Sequence, residues 1–228
     1  MSRALLIFAR CPQPGRVKSR LSPFLTPVES AELYDCMVRD LVVRTACLEV
    51  DDRYLLYEEG EGAVAYFRAL GGGLILLPQQ GEGLGERLAN AFALLFSKGY
   101  TTLAVIGTDS PDLPLAFIQE AFERLDAGSV DVLFGPTEDG GYYLTAMQAP
   151  NPELFFEVPW STDKVLEVSL LRATQAGLRS ELLPLWYDVD KPLDLARAEL
   201  NDTRHDACRT RNYLMKLLSE KATCGGKG

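Results

Sequence analysis

The chain has 228 residues, is 47% hydrophobic and 24% charged, and carries a net charge of −9. That suits one large α/β domain with a sizeable core, expected over residues 1–222, and argues against a nucleic-acid-binding surface. No run approaches the ~18 apolar residues of a membrane span, so a cytoplasmic location and a small-molecule partner are expected.

The five cysteines form no CxxC pair, so reduced thiols are expected rather than a disulfide framework or zinc site. The single histidine, His205, reads as a surface residue, which removes His-based nucleophilic chemistry. No feature fixes an oligomeric state.

Residues 4–10 read as a buried strand. A basic loop follows, with Arg10, Arg16, Lys18 and Arg20 around Gly15. Long cations and a tight backbone path suit a phosphate, against the alternative of a solvated basic loop, although the loop is not a Walker motif. Thr26, Pro27 and Glu29 form a capping box opening a helix, whose face is Tyr34, Met37, Val38, Leu41 and Thr45. Asp52–Tyr57 is a strand, Ala63–Leu70 a helix and 74–77 a strand. Gly81, Gly83 and Gly85 then form a Gly-rich loop before a helix over 84–98. Arg87 in its first turn is a candidate phosphate partner, against the alternative of a flexible connection.

The stretch 103–107 is apolar throughout, as in a parallel sheet buried on both faces. Ligand sites in such sheets lie beyond the strands' carboxyl ends, which marks Asp109. Asp112 reads instead as the N-cap of a helix over 114–127. A strand at 131–134 leads to the turn Glu138-Asp139-Gly140-Gly141, and a strand at 142–147 follows. Glu138 or Asp139 is a candidate for orienting or deprotonating an acceptor hydroxyl, against a plain Asp-Gly turn. Residues 151–159 read as irregular. Trp160, Ser161 and Thr162 are candidates to close a substrate pocket, against the alternative that Trp160 is core, with Ser161 or Thr162 capping a helix to about Ala176.

A strand at 182–187 ends in Asp188-Val189-Asp190. Carboxylates from separate strand ends can converge on one hard cation, so Asp109, Asp188 and Asp190 are candidate ligands for Mg²⁺ or Mn²⁺. The competing reading makes Asp190 the N-cap of the short helix opened by Pro192. A last helix is expected over 204–221, packing through Tyr213, Leu214, Leu217 and Leu218, then a disordered tail at 223–228. The β-α alternation predicts a mostly parallel sheet with helices on both faces.

Six motifs occur in a set order: F-A-R-C-P-Q-P-G-R-V-K-S-R-L, G-E-G-L-G-E-R, I-G-T-D-S-P-D-L, E-D-G-G-Y-Y-L, P-W-S-T and D-V-D-K-P-L-D-L. Together they resemble the radical-SAM/selenodomain-associated transferases, glycosyltransferase-like members of the nucleotide-diphospho-sugar transferase superfamily. The chain is also similar to the guanylyltransferases of cofactor biosynthesis. The resemblance implies a GT-A fold, a three-layer α/β/α sandwich around a mixed sheet. It implies Lys18 and Arg20 as phosphate ligands, Asp109, Asp188 and Asp190 as metal ligands, and Gly81, Gly83 and Gly85 along base and ribose. Ser19 and Lys191 stand where the family pattern usually has Thr.

Two enzymatic readings follow: glycosyl transfer from a nucleotide-diphospho-sugar to a small acceptor, and nucleotidyl transfer releasing pyrophosphate. A non-catalytic nucleotide-binding module is the alternative outside catalysis. An Asp-x-Asp phosphatase fits poorly, because this pair ends the sheet, and a Rossmann dehydrogenase lacks its glycine fingerprint.

Overall fold

The computed structural model describes residues 1–203 and 206–225. In chain order its elements are β1 (Arg3–Ala9), α1 (Pro27–Arg44), β2 (Asp52–Tyr57), α2 (Ala63–Leu70), β3 (Ile75–Pro78), α3 (Leu84–Ser97) and β4 (Thr102–Ile106). There follow α4 (Leu115–Asp126), β5 (Val132–Pro136), β6 (Tyr142–Met147), α5 (Val165–Gln175), β7 (Ser180–Leu182), α6 (Ala198–Asn201) and α7 (Cys208–Gly225). Single 3₁₀ turns occur at Ser19–Leu21, Thr45–Cys47, Pro152–Phe155 and Pro192–Ala196. Among the described residues, no helix is long and apolar enough to cross a membrane.

The chain forms two compact units. The first comprises Met1–Cys11, Cys47–Gly107 and Pro114–Asp188; the second comprises Pro12–Ala46, Thr108–Leu113 and Val189–Gly228.

The first unit holds one seven-stranded sheet, in the order β3-β2-β1-β4-β6-β5-β7. All neighbours are parallel except β6, which runs antiparallel to both β4 and β5. Strand alternation sends side chains to opposite faces. Leu6, Phe8, Leu103 and Val105 pack against Leu88, Phe92 and Leu95 of α3. On the other face, Thr102 Oγ1 donates to Asp126 Oδ1 of α4 at 2.8 Å, and the Arg3 guanidinium lies over the Phe122 ring. Helices therefore cover both faces, as the predicted α/β/α sandwich requires.

Three local expectations are corrected. The last strand pairs with β5 only at Ser180–Leu182, not over 182–187. Pro184 has no N–H to continue the ladder. Beyond it the chain keeps only separate contacts, such as Trp186 N to Pro136 O at 3.0 Å. The N-cap of α4 is Pro114, not Asp112. Likewise α5 begins after Lys164, not at Ser161 or Thr162. Thr162 instead braces the preceding turn, accepting from Lys164 N at 3.2 Å and donating to Pro159 O at 2.7 Å.

In the second unit, α1 and α7 pack together. The Thr26–Glu29 capping box forms as expected, and Tyr34, Met37, Val38, Leu41 and Thr45 are all buried. The side chain of Asp40 is almost fully buried on α1 and supplies the N-cap of α7. It accepts from Arg209 N at 3.1 Å and from Thr210 N and Oγ1, each at 2.8 Å. The cap is remote in sequence, so α7 starts at Cys208 rather than near residue 204. Its inner face runs through Thr210, Leu214 and Leu217, whereas Leu218 is exposed. Helix α7 continues to Gly225, into the segment expected to be a loose tail. His205 and residues 226–228 lie outside the described residues.

Candidate active site

The second unit gathers four of the predicted charges. Arg16 N bonds Gln13 O at 3.0 Å, forming a turn through Gly15, whose φ is +78°. Gly15 and Arg16 are exposed; Val17 and Leu21 are buried and anchor the loop on either side of Lys18. Lys18 itself adopts left-handed backbone, φ 50° and ψ 36°, immediately before the Ser19–Leu21 turn. For a residue with a Cβ that conformation costs about 1–2 kcal/mol, so the surrounding packing must hold it.

The Lys18 side chain is 2% exposed. Its ammonium donates to Asp109 Oδ1 and lies 3.4 Å from Asp190 Oδ1. Arg20 donates to the other Asp190 oxygen at 2.9 Å. A buried ammonium requires such pairing, because unpaired charge is costly away from water.

Both carboxylates are positioned by backbone. Tyr34 and Thr108 share a hydroxyl–hydroxyl bond of 2.7 Å beside Asp109. Arg44 donates to the carbonyls of Pro111 at 2.5 Å and Leu113 at 2.8 Å, clamping the same loop. Val189 N donates to Asp109 O at 2.8 Å, tying the two acidic segments together. Asp194 Oδ2 accepts from Asp190 N at 3.0 Å and Lys191 N at 2.6 Å. Asp190 is thus not the cap of the following turn; Asp194 does that work, and the Asp190 side chain is turned to the cations. Sequence reasoning missed Arg44 and Asp194. For Asp194 a signal existed: an acid three residues after Lys191, at a turn opened by proline, is a capping pattern.

Asp109 and Asp190 offer hard oxygen donors converging on one point, which fits Mg²⁺ or Mn²⁺. That point is held by the Lys18 ammonium. Among the described residues, no group of three or more His, Cys, Asp or Glu side chains is arranged to hold a metal. Asp188 is the last residue of the first unit.

The first unit holds the remaining candidates. Glu58, just beyond β2, pairs with Arg10 at 3.3 Å and with Arg87 at 3.3 Å. Arg87 also donates to Gly81 O at 3.0 Å and Gln79 Oε1 at 3.3 Å, closing its own loop. Gly83 is the N-cap of α3, and Gly85 is buried in its first turn. A Cβ on Gly85 would meet Phe155 O at 2.5 Å and Trp160 Nε1 at 2.7 Å. Trp160 therefore packs on the helix start, with its ring also edge-on to Tyr142.

Asp139 Oδ1 accepts from Thr137 Oγ1 at 2.7 Å and Gly141 N at 3.1 Å, so one of its oxygens fixes its own turn. Glu138 beside it is exposed. Gly140, at φ +89°, lies where a Cβ would run into the Asp163 carbonyl. Its own carbonyl accepts from Leu166 N at 2.9 Å, using one free N–H of the α5 N-terminus. Ser161 is exposed with φ 66°. Burial pushes the Tyr142 and Tyr143 hydroxyls up, which favours their protonated form.

No curated protein matches the sequence. Among solved structures, a provisionally assigned nucleotide-diphospho-sugar transferase from Desulfovibrio desulfuricans G20 is similar at 30% identity and a TM-score of 0.82, over 95% of this chain and 98% of that one. CMP:2-keto-3-deoxy-manno-octonic acid synthetase complexed with CTP matches at TM-score 0.58 and 14% identity, covering 88% of this chain and 98% of that one. Glucosyl-3-phosphoglycerate synthase from Mycobacterium tuberculosis, in complex with Mn²⁺, UDP and glucosyl-3-phosphoglycerate, matches at TM-score 0.51 and 15% identity, over 96% and 79%. At these lower identities the likeness is one of fold. A family model described as an uncharacterized protein conserved in bacteria, DUF2064, matches residues 41–162, more than half of the chain. The chain belongs to the DUF2064 family and has the fold of the nucleotide-diphospho-sugar transferases.

Proposed function

We propose that the protein is a metal-dependent transferase acting on an activated nucleotide, with a nucleotide-diphospho-sugar as donor and a small molecule as acceptor. The observation that carries this reading is the Lys18–Asp109–Asp190–Arg20 cluster: two cations set directly against two carboxylates. The 30% identity to the Desulfovibrio protein supports the donor class, and the finer resemblance to the radical-SAM/selenodomain-associated transferases points the same way.

Asp109 and Asp190 would hold Mg²⁺ or Mn²⁺, with Asp188 as a further proposed ligand. The ion, when bound, supplies charge neutralisation at the phosphates. Lys18 and Arg20 donate to phosphate oxygens and stabilise the departing diphosphate. Glu138 or Asp139 takes the acceptor's proton. The acceptor oxygen bonds the anomeric carbon, the carbon–oxygen bond to the diphosphate breaks, and the nucleoside diphosphate leaves with the electron pair. For the first unit we propose nucleotide-facing roles for Arg10, Gly81, Gly83, Gly85 and Arg87. Acceptor-facing roles fall to Gly140, Gly141, Trp160, Ser161 and Thr162.

Nucleotidyl transfer is the second reading, favoured by the two cations of the loop after β1. There the acceptor oxygen bonds the α-phosphorus and pyrophosphate leaves. A thermal-shift and calorimetric screen of UDP-, GDP- and CDP-sugars and nucleoside triphosphates, with and without Mn²⁺, tests the shared core. Binding should require Mn²⁺ and weaken at least about tenfold in Asp109→Asn, roughly 1.4 kcal/mol. Equal affinity with and without Mn²⁺ overturns the metal assignment. The released group, nucleoside diphosphate or pyrophosphate, then separates the two reactions. Binding without product from any acceptor leaves a non-catalytic module.

A further inference from the structure

Lys18 holds the position between Asp109 and Asp190 that a divalent cation would need. We infer that Lys18 is an internal counter-cation that shuts out the free metal ion, so that the metal enters only together with the nucleotide's phosphates. The inference rests on the metal–nucleotide reading above and adds an order of binding to it.

The argument is one of charge and place. Lys18 and Arg20 against Asp109 and Asp190 form a cluster that is neutral as it stands. A free dication would have to displace the Lys18 ammonium from Asp109 and leave two surplus positive charges beside a side chain that is 2% exposed. Surplus charge at a buried position is strongly disfavoured. A dication already carrying a diphosphate or triphosphate brings its own anions. Lys18 then exchanges one oxygen partner for another: it leaves the carboxylate for a phosphate as the metal takes the carboxylate. No ammonium is left unpaired at any stage.

The backbone is built for this exchange. Lys18 is held in left-handed conformation between buried Val17 and Leu21, so the stem is fixed and only the flexible chain beyond Cβ needs to swing. The Asp109 side chain is half exposed, so the carboxylate that Lys18 would release is reachable from solvent. Asp190 is retained by Arg20 throughout.

The probe is Mn²⁺ alone, with no nucleotide, titrated by electron paramagnetic resonance and calorimetry. Wild-type protein should bind it weakly. Lys18→Met, which keeps the stem and removes the charge, should bind free Mn²⁺ at least about tenfold more tightly. Adding Asp109→Asn to Lys18→Met should abolish the gain, placing the ion at that carboxylate. Lys18→Gly suits the left-handed backbone and is the second variant if Lys18→Met folds poorly by circular dichroism; the same gain is expected. Unchanged or weaker Mn²⁺ binding in the folded variant overturns the inference. Failure of the nucleotide reading looks different: wild type would then bind no nucleotide with Mn²⁺ at all, whatever the variants do with free Mn²⁺.

Discussion

Lys18 combines burial, charge and a backbone conformation that costs a side-chain-bearing residue energy. Residues held in such conformations cluster at functional positions, and its partners Asp109 and Asp190 were legible as candidates from sequence alone. Their pairing with Lys18 was not, because residue type does not tell which oppositely charged groups meet. Asp139 and Arg87 add contacts of their own: both read as ligand groups, and both also bond within their own turns, which residue type alone does not tell. The thiols follow burial. The Cys36 thiol is pushed up to about 11, chiefly by burial, with the Asp35 and Asp40 carboxylates adding to it, while Cys47 is exposed. Iodoacetamide at mildly alkaline pH should therefore label Cys36 at least about tenfold more slowly than Cys47, as read by peptide mass spectrometry. Equal rates would show that the α1 face is open.

Helix α1 was legible almost in full, because its start signal is local: Thr26, Pro27 and Glu29 lie within one turn. Thr26→Ala should cost about 1 kcal/mol in urea denaturation. The Glu29 carboxyl is held below the usual carboxylate range, first by the Thr26 N–H and further by Lys221. A carboxyl lowered by folding stabilises the protein above its ordinary range and loses that contribution as pH falls through its folded value. Stability should thus fall on acidification, and Glu29→Gln should flatten that dependence. Helix α7 was misplaced at its start because its cap, Asp40, lies 170 residues from Thr210. Strand β7 was misplaced for a reason within reach, since Pro184 stood in the middle of the expected strand.

At the scale of the molecule, strand type and the layering of helices on the first unit's sheet were readable from alternation, but the insertion of antiparallel β6 between β4 and β5 was not. Neither unit is a continuous stretch of chain: each is made of three segments. A chain ending at Tyr187 would keep all seven strands yet lack Asp190 and α7, leaving Asp40 on α1 without its bonds to Arg209 and Thr210. Its melting temperature, measured by circular dichroism, should fall well below that of the full chain. The ion cluster follows the same plan, taking Lys18 and Arg20 from one segment, Asp109 from the next and Asp190 from the last. The separations are 91 residues from Lys18 to Asp109 and 172 to Asp190. On the ribosome, therefore, the lysine emerges long before its second counter-charge exists. A nascent chain carries that ammonium without its second carboxylate through most of its synthesis, and the four-charge cluster can close only once the segment bearing Asp190 has cleared the exit tunnel.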